Sequence, residues 1–284
     1  MGKKYSDVQL REEINNFFEK DGKLFYQEKF INYQNDSNRI AKILLEDNGN
    51  LLVKLKKSIK NEKNNPKREQ DEKPYNMGHN GWSDITSREN KGLLQEYNEK
   101  NFAIGLFNLS KDFPFGKIKD YQTPLKGSQK DPHGEIDLFA VDDNNKIVSL
   151  IELKIKKDKK TDTLLRSVLE IYTYFNNLNK EKFLRNFNLP EDSKFKLIVL
   201  AEESSLSCDH IDNIIDNISK YKEVSELFKE FAKDVAEGIE FYGFDYKYDK
   251  STGPFNLTEK KGNKTRIELT GEIVCKQKFT IIAK

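Results

Sequence analysis

Residues 134–142 read GEIDLFAVD and residues 146–155 read KIVSLIELKI, two apolar runs joined by Asp143-Asn144-Asn145. Each run has the length of a strand, and the short polar connection predicts a hairpin. Side chains alternate faces along a strand, so Asp137 shares a face with Glu135, Phe139 and Val141, and Glu152 with Val148, Leu150 and Lys154. A two-residue turn at Asn144-Asn145 pairs Asp143 with Lys146. Counting back sets Asp137 opposite Glu152 and Glu135 opposite Lys154. A four-residue loop would shift the pairing by two and keep the face, whereas an odd-length loop breaks it unless a bulge compensates.

Directly opposed side chains have Cβ atoms roughly 4.5–5.5 Å apart. Two carboxylates at that separation repel each other unless a cation joins them. A hard divalent ion, Mg²⁺ or Mn²⁺, suits such oxygen donors, with the Leu153 carbonyl as a further ligand. It would polarise a phosphate ester and lower the pKa of a bound water. Lys154, one pleat beyond Glu152, would orient or deprotonate that water and offset developing charge.

The acid-x-lysine pattern alone is uninformative here, because it recurs at Asp21, Asp71, Glu89, Asp158, Asp192, Asp245 and Glu259. Glu152 differs by interrupting the apolar run from Ile147 to Ile155, and Asp137 by sitting between Ile136 and Val141. Buried carboxylates need pairing, hydrogen bonds or metal. From the residues alone, a metal site and an ion pair on a half-exposed sheet both stand.

Outward from the hairpin, Leu93, Leu94, Tyr97, Ile104 and Phe107 predict a long helix reaching about residue 110, with Thr86 and Glu89 as a capping box. A strand follows over 118–123. After the hairpin come a helix over 162–187, a buried strand over 195–202 and an amphipathic helix over 209–236. Strands are expected over 239–248, 265–275 and 278–283. Upstream, a helix over 6–20 precedes strand-like runs at 24–33, 39–45 and 51–55, with Asn48-Gly49 as a hairpin turn. Residues 57–75 are almost free of apolar side chains and mark a boundary. The domains expected are an α+β region over 1–75, a core over 76–205, and a helix-and-strand extension over 206–284 packed on that core.

The chain has 284 residues, enough to bury a full core. Its 49 basic and 47 acidic residues leave a net charge of +2, which excludes coating of nucleic acid by bulk charge. The two cysteines, Cys208 and Cys275, lie far apart, so neither a disulfide framework nor a structural zinc site is expected. No apolar run approaches a membrane span, and a soluble cytoplasmic protein without a membrane partner is the expectation.

The stretch Gly134-Glu135-Ile136-Asp137-Leu138 followed by Ile151-Glu152-Leu153-Lys154 resembles the PD-(D/E)xK nuclease superfamily, in wording closest to Holliday-junction-resolvase-like and Mrr-like members. The resemblance covers roughly residues 83–202, with Ile136 where the name has proline. It implies an α/β fold with a restriction-endonuclease-like αβββαβ core around a mixed sheet, and Mg²⁺- or Mn²⁺-dependent cleavage of DNA. Asp137 and Glu152 would be ligands and Lys154 the catalytic lysine. Many members add a glutamate from the first helix, for which Glu96 is preferred over Glu89. Some carry QxxxY on the helix after ExK; here Glu170 stands for the glutamine, and Arg166, Glu170 and Tyr174 form one i, i+4 stripe. Lys156, Lys157, Arg166 and Tyr174 are the candidate nucleic-acid contacts beside the site, and His133 would lie near its mouth. RNA as substrate, a homodimer, and a non-catalytic nucleic-acid-binding or assembly module are the alternatives the same sequence allows.

Overall fold

The computed structural model describes residues 5–19, 24–46, 49–60, 73–84, 96–125, 134–156, 162–203, 205–216, 219–261 and 264–282. In chain order the elements are α1 (Asp7–Phe18), three short 3-10 turns between Phe25 and Asp36, α2 (Ser37–Leu45), α3 (Asn50–Ile59), β1 (Trp82–Asp84), α4 (Glu99–Asn108), β2 (Asp112–Phe113), β3 (Gly116–Pro124), β4 (Glu135–Val141), β5 (Ile147–Lys154), α5 (Leu164–Asn177), α6 (Lys180–Asn186), β6 (Lys194–Glu202), α7 (Leu206–Asp216), α8 (Lys222–Ala232), β7 (Ile239–Lys247), β8 (Phe255–Lys261), β9 (Lys264–Leu269) and β10 (Glu272–Ile281).

The central hairpin forms with the register that counting from Asp143 and Lys146 gives. Leu138 faces Ile151 and Val141 faces Val148. Its turn is held by the Asp142 carboxylate, which accepts the N–H groups of Lys146 and Ile147 at 2.7 and 2.9 Å. Asn145 takes φ 54°, a left-handed conformation that Asn tolerates better than most residues.

Seven strands lie in the order β10-β7-β6-β5-β4-β3-β2. β5, β6 and β7 run parallel and the outer pairs antiparallel, giving an α/β chain with a mixed sheet. Parallel strands covered on both faces read as near-continuous apolar runs. β5 accordingly buries Val148 and Leu150 against one layer and Ile151, Leu153 and Ile155 against the other. The first layer holds α1–α3, α5 to α8 and the 3-10 turns; the second holds α4 and a small sheet ordered β1-β9-β8.

Residues 24–59 depart from the expected strands. Ile40, Ala41, Ile43 and Leu44 are buried on α2, and Leu52, Leu55 and Ile59 on α3, spacings that suit one helix face. Gly49 uses its positive φ of 76° to begin α3 instead of turning a hairpin. The expected helix over 162–187 is two, because Leu178 is extended and Asn179 caps a new helix by accepting from the Lys182 N–H. The helix over 209–236 is likewise two, α7 and α8, with α7 beginning at Leu206. The expected strand over 265–275 divides at Thr270–Gly271, sending β9 to the small sheet and β10 to the large one. Of the long helix expected to reach about residue 110, the described residues hold α4; Thr86, Glu89, Leu93 and Leu94 lie outside them. No helix among the described residues is long and apolar enough to cross a membrane.

Candidate active site

The β4–β5 ladder stops at Leu138 and Ile151, one step short of Asp137 and Glu152. Beyond that point the Asp137 carboxylate replaces the missing backbone partner, its Oδ2 accepting the Leu153 N–H at 2.8 Å. A residue in an extended strand directs its N–H and C=O to the same side, so the Leu153 carbonyl lies on the Asp137 edge as well. Phe139 and Val141 on β4, and Val148 and Leu150 on β5, all pack into the layer that contains α5. Alternation then turns Glu152 and Lys154 toward α5, whereas on β4 Ile136 packs into the same layer as Phe139, so alternation breaks at Asp137, whose carboxylate instead reaches across to the edge of β5.

Lys154 is 6% exposed and Glu152 2%. The Lys154 ammonium sits 2.5 Å from Glu152 Oε1, 3.3 Å from Asp162 Oδ2 and 3.8 Å from Glu170 Oε2. Arg166 lies 3.3 Å from Asp162 and 4.0 Å from Glu170. Among the described residues, five carboxylates (Asp137, Glu152, Asp162, Glu170 and Glu99) therefore share this end of the sheet with two cations, Lys154 and Arg166. Among the described residues, Glu152 Oε2 and Glu170 Oε2 are buried without a hydrogen-bond partner.

The electrostatics follow from that excess. Burial, with Glu99 and Glu170 adding to it, lifts Asp137 to about 7 against the pull of Lys154 and the Leu153 N–H. Burial and then Glu170 raise Glu152 well above the usual carboxylate range. Burial alone would lower Lys154, yet Glu152, Glu170, Glu99 and Asp137 together hold it well above its ordinary value, so it remains an ammonium.

The helix glutamate needs correcting. Glu96 is exposed and lies ahead of the helix, its carbonyl accepting from Asn101 Nδ2 at 3.0 Å. Asn98 caps α4 by accepting the Asn101 N–H, which starts the helix at Glu99. Glu99, not Glu96, is the residue whose charge acts on Asp137 and Lys154. An Asn three residues ahead of Asn101, followed by an acid, was the signal for it.

Tyr174 is also not a surface contact. It is 3% exposed, and its hydroxyl donates to Glu170 Oε1 at 2.9 Å and lies 3.3 Å from the hydroxyl of Tyr26. A Cβ on Gly134 would meet that hydroxyl at 2.3 Å, which explains the glycine that opens the motif. Arg166 is partly exposed, its Nη1 donating to Asn32 Oδ1 at 3.1 Å. Lys156 is exposed at the end of β5, its backbone N–H on Glu202 Oε2 at 2.6 Å. Lys157 and His133 lie outside the described residues. His79, in the segment ahead of β1, bonds the buried Asp120 of β3 at 2.8 Å and stacks on Tyr121.

A second acidic group is present. Glu203, Cys208 and Asp212 place one donor atom each within 4.8 Å of one another, the tightest such trio among the described residues. Lys278 fills it, at 2.9 Å from Glu203 and 3.2 Å from Asp212. Asp137 and Glu152 gather no third carboxylate to that closeness among the described residues.

Compared with known proteins, the chain matches no family model, no curated protein and no solved structure.

Proposed function

We propose that this chain is a metal-dependent nuclease of the PD-(D/E)xK type that hydrolyses DNA phosphodiester bonds, with Asp137, Glu152 and Lys154 at its centre. The observation that carries the reading is the buried carboxylate excess at the end of the hairpin, with Glu152 Oε2 left without a hydrogen-bond partner among the described residues. An all-oxygen donor set of this kind suits Mg²⁺ or Mn²⁺. Supporting it is the order of elements α4, β2, β3, β4, β5, α5, α6, β6, which, with the two-residue β2 and the short α6 set aside, runs helix, three strands, helix, strand, with the aspartate on the second of those three strands and Glu-Leu-Lys on the third.

Asp137 and Glu152 would hold the cation, with the Leu153 carbonyl on the same edge. The bound ion would supply Lewis acidity toward the scissile phosphate and a more acidic water. Lys154, kept cationic by its four acidic neighbours, acts by charge, offsetting negative charge that develops on the phosphate oxygens. Arg166 and Lys156 flank the group and would meet the phosphate backbone.

One observation favours a non-catalytic binding module: the Lys154 ammonium already lies among Glu152, Asp162 and Glu170. The deciding experiment is cleavage of plasmid, DNA oligonucleotides and RNA oligonucleotides with Mn²⁺. Asp137→Ala and Lys154→Ala should each lower the rate about 100-fold or more, the scale of losing one preorganised electrostatic group. Equal activity in the wild type and both variants would sink the nuclease reading. Binding of DNA without cleavage would favour the module, and preference for the RNA strand would move the substrate.

A further inference from the structure

Residues 24–32 belong to the N-terminal helical region, yet they touch α5 at three places beside the candidate site. Thr163, the cap of α5, donates its hydroxyl to the Ile31 carbonyl at 2.8 Å. Arg166 reaches Asn32. Tyr26, 2% exposed, packs edge-on against Tyr174, with ring centroids 5.8 Å apart and hydroxyls 3.3 Å apart.

The direction of these hydrogen bonds is fixed by proton counting. A phenol has one proton to give. The Tyr174 proton goes to Glu170 Oε1, 2.9 Å away. The proton between the tyrosines must then come from Tyr26. Gln27 Nε2, 3.3 Å from the Tyr26 oxygen, donates into the start of the chain. A one-way relay thus runs from exposed Gln27 through Tyr26 and Tyr174 to Glu170. Each donor polarises the next, so the last bond is stronger than an isolated one. With Oε1 fixed, Glu170 Oε2 remains turned toward Lys154, 3.8 Å away. Burial and the charges of Glu170 and Glu152 act on the Tyr26 hydroxyl, which places it within the electrostatic reach of both acids.

We propose that Tyr26 is a positioning residue of the active site: the N-terminal region supplies a hydroxyl that orients Glu170 through Tyr174, so the core is incomplete without it. This rests on the nuclease reading above. Glu170 stands beside Lys154 and not among the proposed ligands, so the relay acts one step further from the metal than the outer-shell partners of ligands, whose effect is roughly 10–100-fold, and the lower end of that range is the effect expected.

The test measures Mn²⁺ binding by titration calorimetry and Mn²⁺-dependent cleavage, on the full chain, with thermal melting as the check on folding. Tyr26→Phe keeps the ring and removes only the relay. It should weaken Mn²⁺ binding about 10-fold while the melting temperature stays within a few degrees of wild type, the loss of one buried hydrogen bond, and Tyr174→Phe should do at least as much. The double variant should resemble Tyr174→Phe alone, because both break one chain. Wild-type Mn²⁺ affinity in Tyr26→Phe, or strictly additive losses, would overturn the relay and leave Tyr26 as packing. Asp137→Ala separates the two levels. If it retains Mn²⁺ affinity, the nuclease reading itself fails; if it loses affinity while Tyr26→Phe does not, only the relay fails.

Discussion

Two acidic clusters occupy the C-terminal ends of neighbouring parallel strands, and they differ in what balances them. Behind β6, Glu203 and Asp212 close on the Lys278 ammonium, and the Cys208 thiol donates to Glu203 at 3.4 Å. At the end of β5, among the described residues, five carboxylates face two cations and two buried oxygens stay without a hydrogen-bond partner. On the function proposed above, closeness of donors would be a poor guide to a metal site. The β6 cluster is the tighter one, but its charge is already met, and burial pushes its thiol up to about 12, away from the ligating thiolate. The looser cluster is the one that a divalent ion would complete.

The largest expected effect separates the clusters directly. Mn²⁺ titrated into the wild type should bind at the β5 end, and Glu152→Gln should weaken it on the order of 100-fold, as loss of a charged ligand matches or exceeds the effect of outer-shell changes. Glu203→Gln and Cys208→Ser should leave the affinity unchanged. Loss of binding in Glu203→Gln with retention in Glu152→Gln would invert the comparison.

Acid should move the two regions in opposite directions. His210, on the same helix as Cys208, is fully buried with neither ring nitrogen hydrogen-bonded among the described residues, and burial lowers it to about 4. Its unfolded value is near 6.5, so the unfolded chain takes up the proton first. Stability from this group is present above pH 6.5 and lost as pH falls toward 4, by about 3 kcal/mol. Asp137 is the reverse, with a folded value of about 7 above an unfolded 3.8. The metal-free fold gains stability at this residue as pH falls from about 7 toward about 4, by roughly 1–2 kcal/mol after discounting for its partial exposure. Denaturant melts at about pH 7.5, 6 and 4.5 on His210→Leu and Asp137→Asn resolve the two slopes: each substitution should remove its own. A wild-type slope in either variant would refute that assignment.

The smallest effect lies with Asp212, whose side chain is 43% exposed. Asp212→Asn should cost less than about 1 kcal/mol, the usual worth of an exposed ion pair, read from the denaturation midpoint. A larger loss would mean that the β6 cluster is a structural keystone.

The hairpin was legible in the sequence because two constraints agreed there, apolar length and an even-length turn. Strand β6 was legible as a short continuous apolar run, and the face of α5 through its helical periodicity. The N-terminal region was not, because Phe25, Tyr26, Phe30, Ile31 and Tyr33 carry strand-like propensity yet are folded into and around 3-10 turns by tertiary packing against α1 and α5. Asn48-Gly49 misled because a glycine with positive φ serves a helix start as readily as a hairpin. At the site, Glu170 could be reached through its spacing from Arg166 and Tyr174. Glu99 was missed by three residues, since the cap at Asn98 and not the apolar pattern decides where α4 begins. Tyr26 had no local signal at all: its partner is 148 positions away.

The contact between Gly134 and the Tyr174 hydroxyl ties two distant positions into one choice. A methyl at position 134 displaces that hydroxyl and with it the grip on Glu170. Tyr174→Phe surrenders the oxygen but frees the space. Gly134→Ala should therefore damage a chain that keeps Tyr174 more than one that already carries Tyr174→Phe, a case of one substitution forgiving another. Over long divergence the glycine and the tyrosine are expected to be kept together or abandoned together.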